Sequence, residues 1–331
     1  MTERSARLSA LLDNFTSLRV LVVGDVMLDE YVIGAPTRVS REAPVLVLEQ
    51  RRRFVRPGGG ANPAVNVLAL GASPRLVGVI GDDAVGHELR ESLDQLGIKA
   101  TDLVVANGTE TTRKTRVLAE TSSSYGQQLF RLDRLGATPG ANAEQSVIAR
   151  IRSLTAEVDA VLLSDYKGGI ICPAIIQTAR DAARSHRKLL SADSQGGLDR
   201  FRGFDLVKCN RPDAESYVGR GLDDERDWAD AGIALARDLE IGCVMITLGG
   251  DGISVSSRDT SSHVPASNRT EVWDVTGAGD TVVAVATLAL AASGSGEDAA
   301  YLANIAAGEV VRHLGVTATS RDEIRQLLAT V

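Results

Sequence analysis

The chain is poor in residues that cross-link a fold or cage a metal. Its 331 residues include three cysteines, Cys172, Cys209 and Cys243. They form no C-x-x-C pair and no disulfide framework, so a reducing cytoplasm is the expected home. The four histidines, His87, His186, His263 and His313, stand apart, with no metal-ligand spacing between them. No apolar run reaches the ~20 residues that span a bilayer. The N-terminus MTERSARLSALLDNF is charged and amphipathic and lacks a signal-peptide core, so no membrane partner is expected. Dense Lys/Arg tracts are absent as well: Arg51-Arg52-Arg53 is short, lies in an alternating stretch, and the net charge is −7. That balance argues against a nucleic-acid surface. Three motifs are also missing. No G-x-x-x-x-G-K-[ST] phosphate loop occurs, no G-x-G-x-x-G follows the first strand, and no G-x-S-x-G elbow appears. Walker-type nucleotide hydrolysis, nicotinamide chemistry and serine hydrolysis all lose ground.

What is present is an ordinary globular composition, 44% apolar and 24% charged. Strand-like runs at Val20–Val23, Arg75–Ile80, Ala160–Leu163, Lys188–Ala192, Asp205–Lys208 and Val244–Thr247 are largely apolar. Between several of them lie amphipathic patterns at Pro63–Leu70, Val85–Leu96, Ala143–Leu154, Ala174–Ser185 and Trp228–Leu239. Such alternation predicts an α/β fold, a mostly parallel central sheet with helices on both faces. We expect one domain over 1–331. Two segments break the rhythm: Tyr31–Phe54 alternates around Pro36 and Pro44, and Thr111–Asp133 reads as two antiparallel strands about a Ser-rich turn. Together they predict a small projecting β-sheet, serving as a lid or as a homodimer face.

Polar groups gather after the strands: Gly24-Asp25, Ser164-Asp165-Tyr166-Lys167, Asp193, Asn210 and Gly249-Gly250. In open α/β sheets this end holds the ligands, so one continuous cleft is expected. The most informative stretch is Asp274-Val-Thr-Gly-Ala-Gly-Asp280, running directly into an apolar helix expected from Thr281 to Ala292. A helix start offers unpaired amides and the positive end of the dipole, and Gly277 and Gly279 let an anion come close. Asp280 puts a carboxylate beside that anion pocket. The placement makes sense for a base that takes a proton while the amides hold a transferring phosphoryl group. Residues 57–66, PGGGANPAVN, open a second helix, with Gly59 and Gly60 leaving room for a ligand. Asn62 and Asn66 fall one turn apart, suited to sugar hydroxyls, with a helix cap the lesser reading of Asn62.

The Gly-Gly-Gly-Ala-Asn segment, Asn210–Asp213 and the Asp-x-Thr-Gly-Ala-Gly-Asp segment, in this order and spacing, resemble the ribokinase/PfkB family of sugar kinases. The resemblance runs from about Val20 to Thr319. Within the family, the wording of residues 24–29, 38–45, 127–133, 163–166, 271–281 and 302–315 is similar to the heptose-7-phosphate kinase branch, which makes heptose-1,7-bisphosphate for ADP-heptose. The resemblance implies a ribokinase-like fold with a β-lid, ATP and Mg²⁺ as cofactors, and a sugar or sugar phosphate as substrate. It leaves a monovalent cation open. It implies Asp280 as base and the amides of Gly277, Ala278 and Gly279 as the anion hole, with Asp25, Asn62 and Asn66 on sugar hydroxyls. Asp165 and Asp193 would join the sugar side. Thr247, Gly249, Gly252 and Thr276 would border the nucleotide phosphates, and Asn304 and Gly308 the adenine. Asn210 and Asp213 would organise Mg²⁺ through water, with Glu215 as a substitute. Because the chain ends soon after the kinase region, no nucleotidyltransferase half is expected.

Two departures stand out. Asp213 stands where the family has Glu, and Gln195, in Ala192-Asp-Ser-Gln-Gly196, stands where the branch reads Asp-Pro-Lys-Gly. A neutral amide binds a phosphate dianion less well than an ammonium. Lys114, Arg116, Arg131 and Lys167 remain as cations for a substrate phosphate, or as solvated lid charges. Gln195 keeps open a kinase for fructose, ribose, 2-keto-3-deoxygluconate or a nucleoside. A catalytically silent sugar- or nucleotide-binding regulator is the alternative from another class.

Overall fold

The computed structural model describes residues 3–121, 124–268, 272 and 274–330. Its frame is an eight-stranded sheet. Arg19–Gly24 lies between Ser73–Val77 and Ala160–Asp165, parallel to both. Leu189–Ser194, Leu206–Asn210 and Cys243–Thr247 extend the parallel run. The hairpin Ile253–Ser256 and Ser261–Val264 closes that side antiparallel. Alternation along one strand explains the layers. Val20 and Val22 pack into one core with the helices Asn62–Ala69, Ala278–Ala291 and Gly296–Val310. Leu21 and Val23 face the opposite core, with Ala141–Leu154, Pro173–His186 and Glu225–Asp238. A strand buried on both faces must be apolar throughout, which is why these runs were readable.

One expected strand divides. Arg75–Ile80 separates into Ser73–Val77, in the large sheet, and Val79–Gly81, which pairs with Val104–Ala106. Gly78 is the pivot: a Cβ there would sit 2.6 Å from a Val26 methyl and 2.9 Å from the Gly24 carbonyl oxygen. The chain crosses that point only without a side chain.

The four-stranded lid runs in the order Leu46–Gly59, Val26–Val39, Arg113–Thr121, Ser124–Arg134. Its outer pairs are antiparallel and its central pair parallel. Its first two arms are longer than expected, leaving the sheet at Val26 and returning to Gly59. Residues 122 and 123 of the Ser-rich turn lie outside the described residues, as do 271 and 273 before the Gly-Ala-Gly-Asp stretch. Tyr31 anchors the lid, stacked on Phe54 at 4.8 Å and accepting a hydrogen bond from the Val316 amide at 3.1 Å.

Candidate active site

The helix expected from Thr281 starts three residues earlier, at Ala278, with Gly277 before it at φ +85°. That left-handed backbone suits glycine and turns the chain so that the first-turn amides face the cleft. Among the described residues the amides of Gly277 and Gly279 donate to nothing, whereas that of Ala278 lies 3.3 Å from the Val275 carbonyl oxygen. Of the three amides expected in the anion hole, those of Gly277 and Gly279 are free and that of Ala278 is engaged in its turn.

Asp280, the third residue of this helix, is buried. One carboxylate oxygen accepts from Asn62 Nδ2 at 2.7 Å and the other from the Tyr166 hydroxyl at 2.8 Å. Burial, and then the negative charge of Asp193, push the Asp280 carboxyl up to about 7; Asn62, Tyr166 and Lys208 pull the other way. A carboxyl poised there takes up and releases a proton near neutral pH, the property a general base needs. Asn62 is itself held. Asn66 Nδ2 donates to the Asn62 side-chain oxygen at 3.2 Å, and the Thr281 hydroxyl donates to Asn66 Oδ1 at 2.8 Å. Ala61, not Asn62, occupies the cap position of its helix. The two asparagines therefore fix the base to the helix beside it.

The glycines of the 57–60 turn serve backbone packing. A Cβ on Gly60 would meet the Gly24 Cα at 2.8 Å, and one on Gly59 the Asp25 carbonyl oxygen at 2.5 Å. They seat the returning lid arm on the end of the first strand.

Asp25 is held by backbone donors. Its two oxygens accept from the backbone amides of Tyr166, Gly168 and Ile170, each at 2.9 Å. It clamps the loop that carries Tyr166 to Asp280. Burial raises its carboxyl above the usual range despite those amides.

Five further positions have partners of their own in this structure. Arg116, buried, pairs with Asp29 at 2.5 Å. Arg131 pairs with Asp133 at 2.9 Å on the exposed lid edge. Asp165 is bound by Arg200. Asp193 faces Lys208 at 2.9 Å. Glu215 accepts from the Leu222 amide at 3.1 Å, which ties it to the far end of its helix. Of the four cations, Lys114 and Lys167 have no ion-pair partner among the described residues. Lys114 reaches from the lid over the Tyr166 ring at 5.4 Å. Lys167 lies beside Asp213, and a Cβ on Gly196 would sit 3.3 Å from its Nζ and 3.4 Å from the Asp213 carboxylate.

On the other side of the nest an apolar cavity opens. It is lined by Thr247, Gly249, Gly252, Asn304 and Gly308 together with Val275 and Gly279. Asn304 stiffens its wall by donating to the Pro265 carbonyl at 2.8 Å. Asn210 caps the helix Arg211–Val218 by accepting from the Asp213 amide at 2.8 Å, and Thr276 donates through its hydroxyl to Asp274 at 2.6 Å. Neither lines the cavity. No cluster of three metal-ligating side chains exists among the described residues. Asp213 nevertheless keeps one buried carboxylate oxygen without a partner, and burial raises its carboxyl. Mg²⁺ keeps much of its water shell, so one such oxygen beside phosphates fits its needs.

Two residues escaped the sequence reading. Tyr166 stands in the strand-end motif Ser164–Lys167, which gave it no role of its own. Lys208 is a charge inside the buried strand Leu206–Asn210, and that anomaly was the available signal.

An acid of tuned pKa, a pair of free amides at a helix start and an adjoining apolar cavity on an open α/β sheet suit phosphoryl transfer. The comparisons give the class and the family. Residues 17–323 match the pfkB family carbohydrate kinase model, and the chain belongs to that family of phosphotransferases. It is 39% identical over 314 residues to the bifunctional protein HldE of Caulobacter vibrioides, and 38% over 325 residues to that of Edwardsiella ictaluri. The alignments cover 94% and 96% of this chain but 63% and 65% of those proteins. In fold it resembles phosphofructokinase-2 from Escherichia coli in complex with potassium, with TM-score 0.78 at 21% identity, covering 95% of this chain and 98% of that one. Ribokinase from Arabidopsis thaliana complexed with ribose and ATP gives 0.72 at 20%, covering 94% and 98%.

Proposed function

We propose that this carbohydrate kinase transfers the γ-phosphate of ATP to a hydroxyl of a heptose phosphate, converting heptose-7-phosphate to heptose-1,7-bisphosphate. One observation carries the chemistry: Asp280, buried and with its carboxyl pushed up to about 7, stands in the first turn whose glycine amides are free. The relatives named HldE, at 39% and 38% identity, support the heptose branch.

The sugar would enter between Asn62, Tyr166 and the lid, displacing the Tyr166 hydroxyl so that its own hydroxyl donates to Asp280 in its place. Asp280 takes the proton as the oxygen attacks. The amides of Gly277 and Gly279 meet charge growing on the phosphoryl oxygens. Lys114 and Lys167 are the cations left for the substrate's own phosphate. Asp213 would hold Mg²⁺ through water, and the metal would neutralise phosphate charge. The cavity from Thr247 to Gly308 would take the nucleoside. We propose further that two copies associate through their lids.

Asp280→Asn should keep nucleotide and sugar binding while lowering kcat by about 10²–10⁴. A variant turning over near the wild-type rate would place the base elsewhere. ADP release with heptose-7-phosphate, fructose, ribose and 2-keto-3-deoxygluconate identifies the acceptor. Gln195 favours the second reading, a kinase for a sugar without its own phosphate. Preference for one of those three would establish it.

A further inference from the structure

Beside the glycine nest lies a cation that the reading above leaves unused. Lys208 is 7% exposed, on the strand Leu206–Asn210, in register with Asp193 of the neighbouring strand. Its Nζ donates to Asp193 Oδ1 at 2.9 Å. An ammonium has three donors, and among the described residues the other two meet no acceptor. The group is aimed at the nest: a Cβ built on Gly279 would lie 2.6 Å from Nζ. Any side chain at that position would push the ammonium away.

The arrangement is electrostatically uphill as it stands. A buried ammonium has lost its hydration, and here it also faces the positive end of the dipole of a 14-residue helix. Asp193 offsets part of this and holds Lys208 charged, against the opposing effect of burial. An anion settling on the amides of Gly277 and Gly279 would meet both positive features at once and satisfy the unused donors.

We propose that Lys208 is a catalytic residue that donates hydrogen bonds to the transferring phosphoryl group in the anion site at Gly277–Gly279, with Asp193 positioning it. The proposal rests on Asp280 being the base. In the step, the acceptor hydroxyl gives its proton to the Asp280 carboxylate and its oxygen lone pair forms the new bond to the γ-phosphorus. The bond from that phosphorus to the bridging oxygen breaks, and its electron pair leaves with ADP. Lys208 keeps its proton throughout. Its contribution grows as charge spreads over the equatorial oxygens.

A purely structural ion pair is the competing account, and four variants of the full chain separate the two. Each is assayed with MgATP and whichever sugar the wild type turns over fastest, after circular dichroism and thermal melting. Lys208→Met should lower kcat by about 10²–10³, the range for loss of one preorganised donor, with the KM for ATP little changed. Inhibition by MgADP with aluminium fluoride, which mimics the transferring group, should weaken by a similar factor. Lys208→Arg should retain more turnover than Lys208→Met. Asp193→Asn keeps the ammonium and should lose far less. If Lys208→Met fails to fold, Lys208→Met with Asp193→Leu replaces the pair by apolar groups, a change that buried pairs often tolerate. Turnover should stay low in that folded double variant. Equal losses in Lys208→Met and Asp193→Asn with analogue affinity intact, or recovery in the double variant, would overturn the proposal. Full activity in Asp280→Asn would instead remove the reading on which it rests. An inactive Asp280→Asn beside an undiminished Lys208→Met would remove only the role of Lys208.

Discussion

At the scale of single residues, the carboxyl of Asp280 gives the site its pH dependence. Its folded pKa is about 7 against an ordinary 3.8, so the base is protonated and idle on the acid side of neutrality. The kcat–pH profile should rise through an acid limb near 7, and a limb near 4 would show that Asp280 is solvated in the working enzyme. The same shift has a consequence for stability, with a fixed sign. Between 3.8 and about 7 the folded chain holds a proton that the unfolded chain has released. Its contribution is full below 3.8 and is lost as pH rises through about 7. Asp280→Asn cannot ionise, so it should melt higher than wild type at pH 8, with the gap closing in acid. Asp280, Asn62 and Asn66 were legible because short linear motifs carry them. Tyr166 reaches Asp280 through a long loop, and Lys208 and Asp193 act on it through charge from neighbouring strands, relations that local spacing does not encode. The partners of two lid cations were hidden for a related reason. Arg116 and Arg131 are neutralised by Asp29 and Asp133, partners set by strand pairing and lid geometry.

At the scale of elements, the junction into Ala278–Ala291 is the most constrained point of the fold. Gly277 holds φ +85°, and a Cβ there would lie 2.8 Å from Asn62 Nδ2. Gly277→Ala should therefore cost about 1–2 kcal/mol from backbone strain. It should also lower kcat by shifting Asn62 away from Asp280. Chemical denaturation and steady-state kinetics measure the two effects separately, and an unchanged kcat would show that Asn62 is not needed to aim the base. Elements buried on both faces, such as Arg19–Gly24 and Ala160–Asp165, were legible from apolar runs alone. The break at Gly78 was not, because it answers to Val26 and Gly24, distant in sequence. The closing hairpin Ile253–Ser256 and Ser261–Val264 escaped as well. Its strands are four residues each, too short for alternation to register.

At the scale of the whole molecule, the lid has two unlike edges. Leu46–Gly59 carries Glu49, Arg51, Arg52 and Arg53, and charge of that kind discourages another strand from pairing. The opposite edge, Ser124–Arg134, exposes Phe130 at 56% and Leu132 at 61%, two residues apart and so on one face. A long edge with bare aromatic and aliphatic side chains and open backbone groups invites a second strand. The proposed lid-to-lid dimer supplies one, and it also explains why an outer edge of a catalytic lid should be apolar at all. Burying these side chains stabilises association by about 1.5–3 kcal/mol each at most. Phe130→Glu with Leu132→Glu should therefore convert a dimer into monomers in sedimentation velocity, and the monomer should fold, since both positions lie outside the two large cores. Wild-type protein sedimenting as a monomer at tens of micromolar would remove the dimer, because an edge that strong, left bare, would drive aggregation rather than a stable monomer.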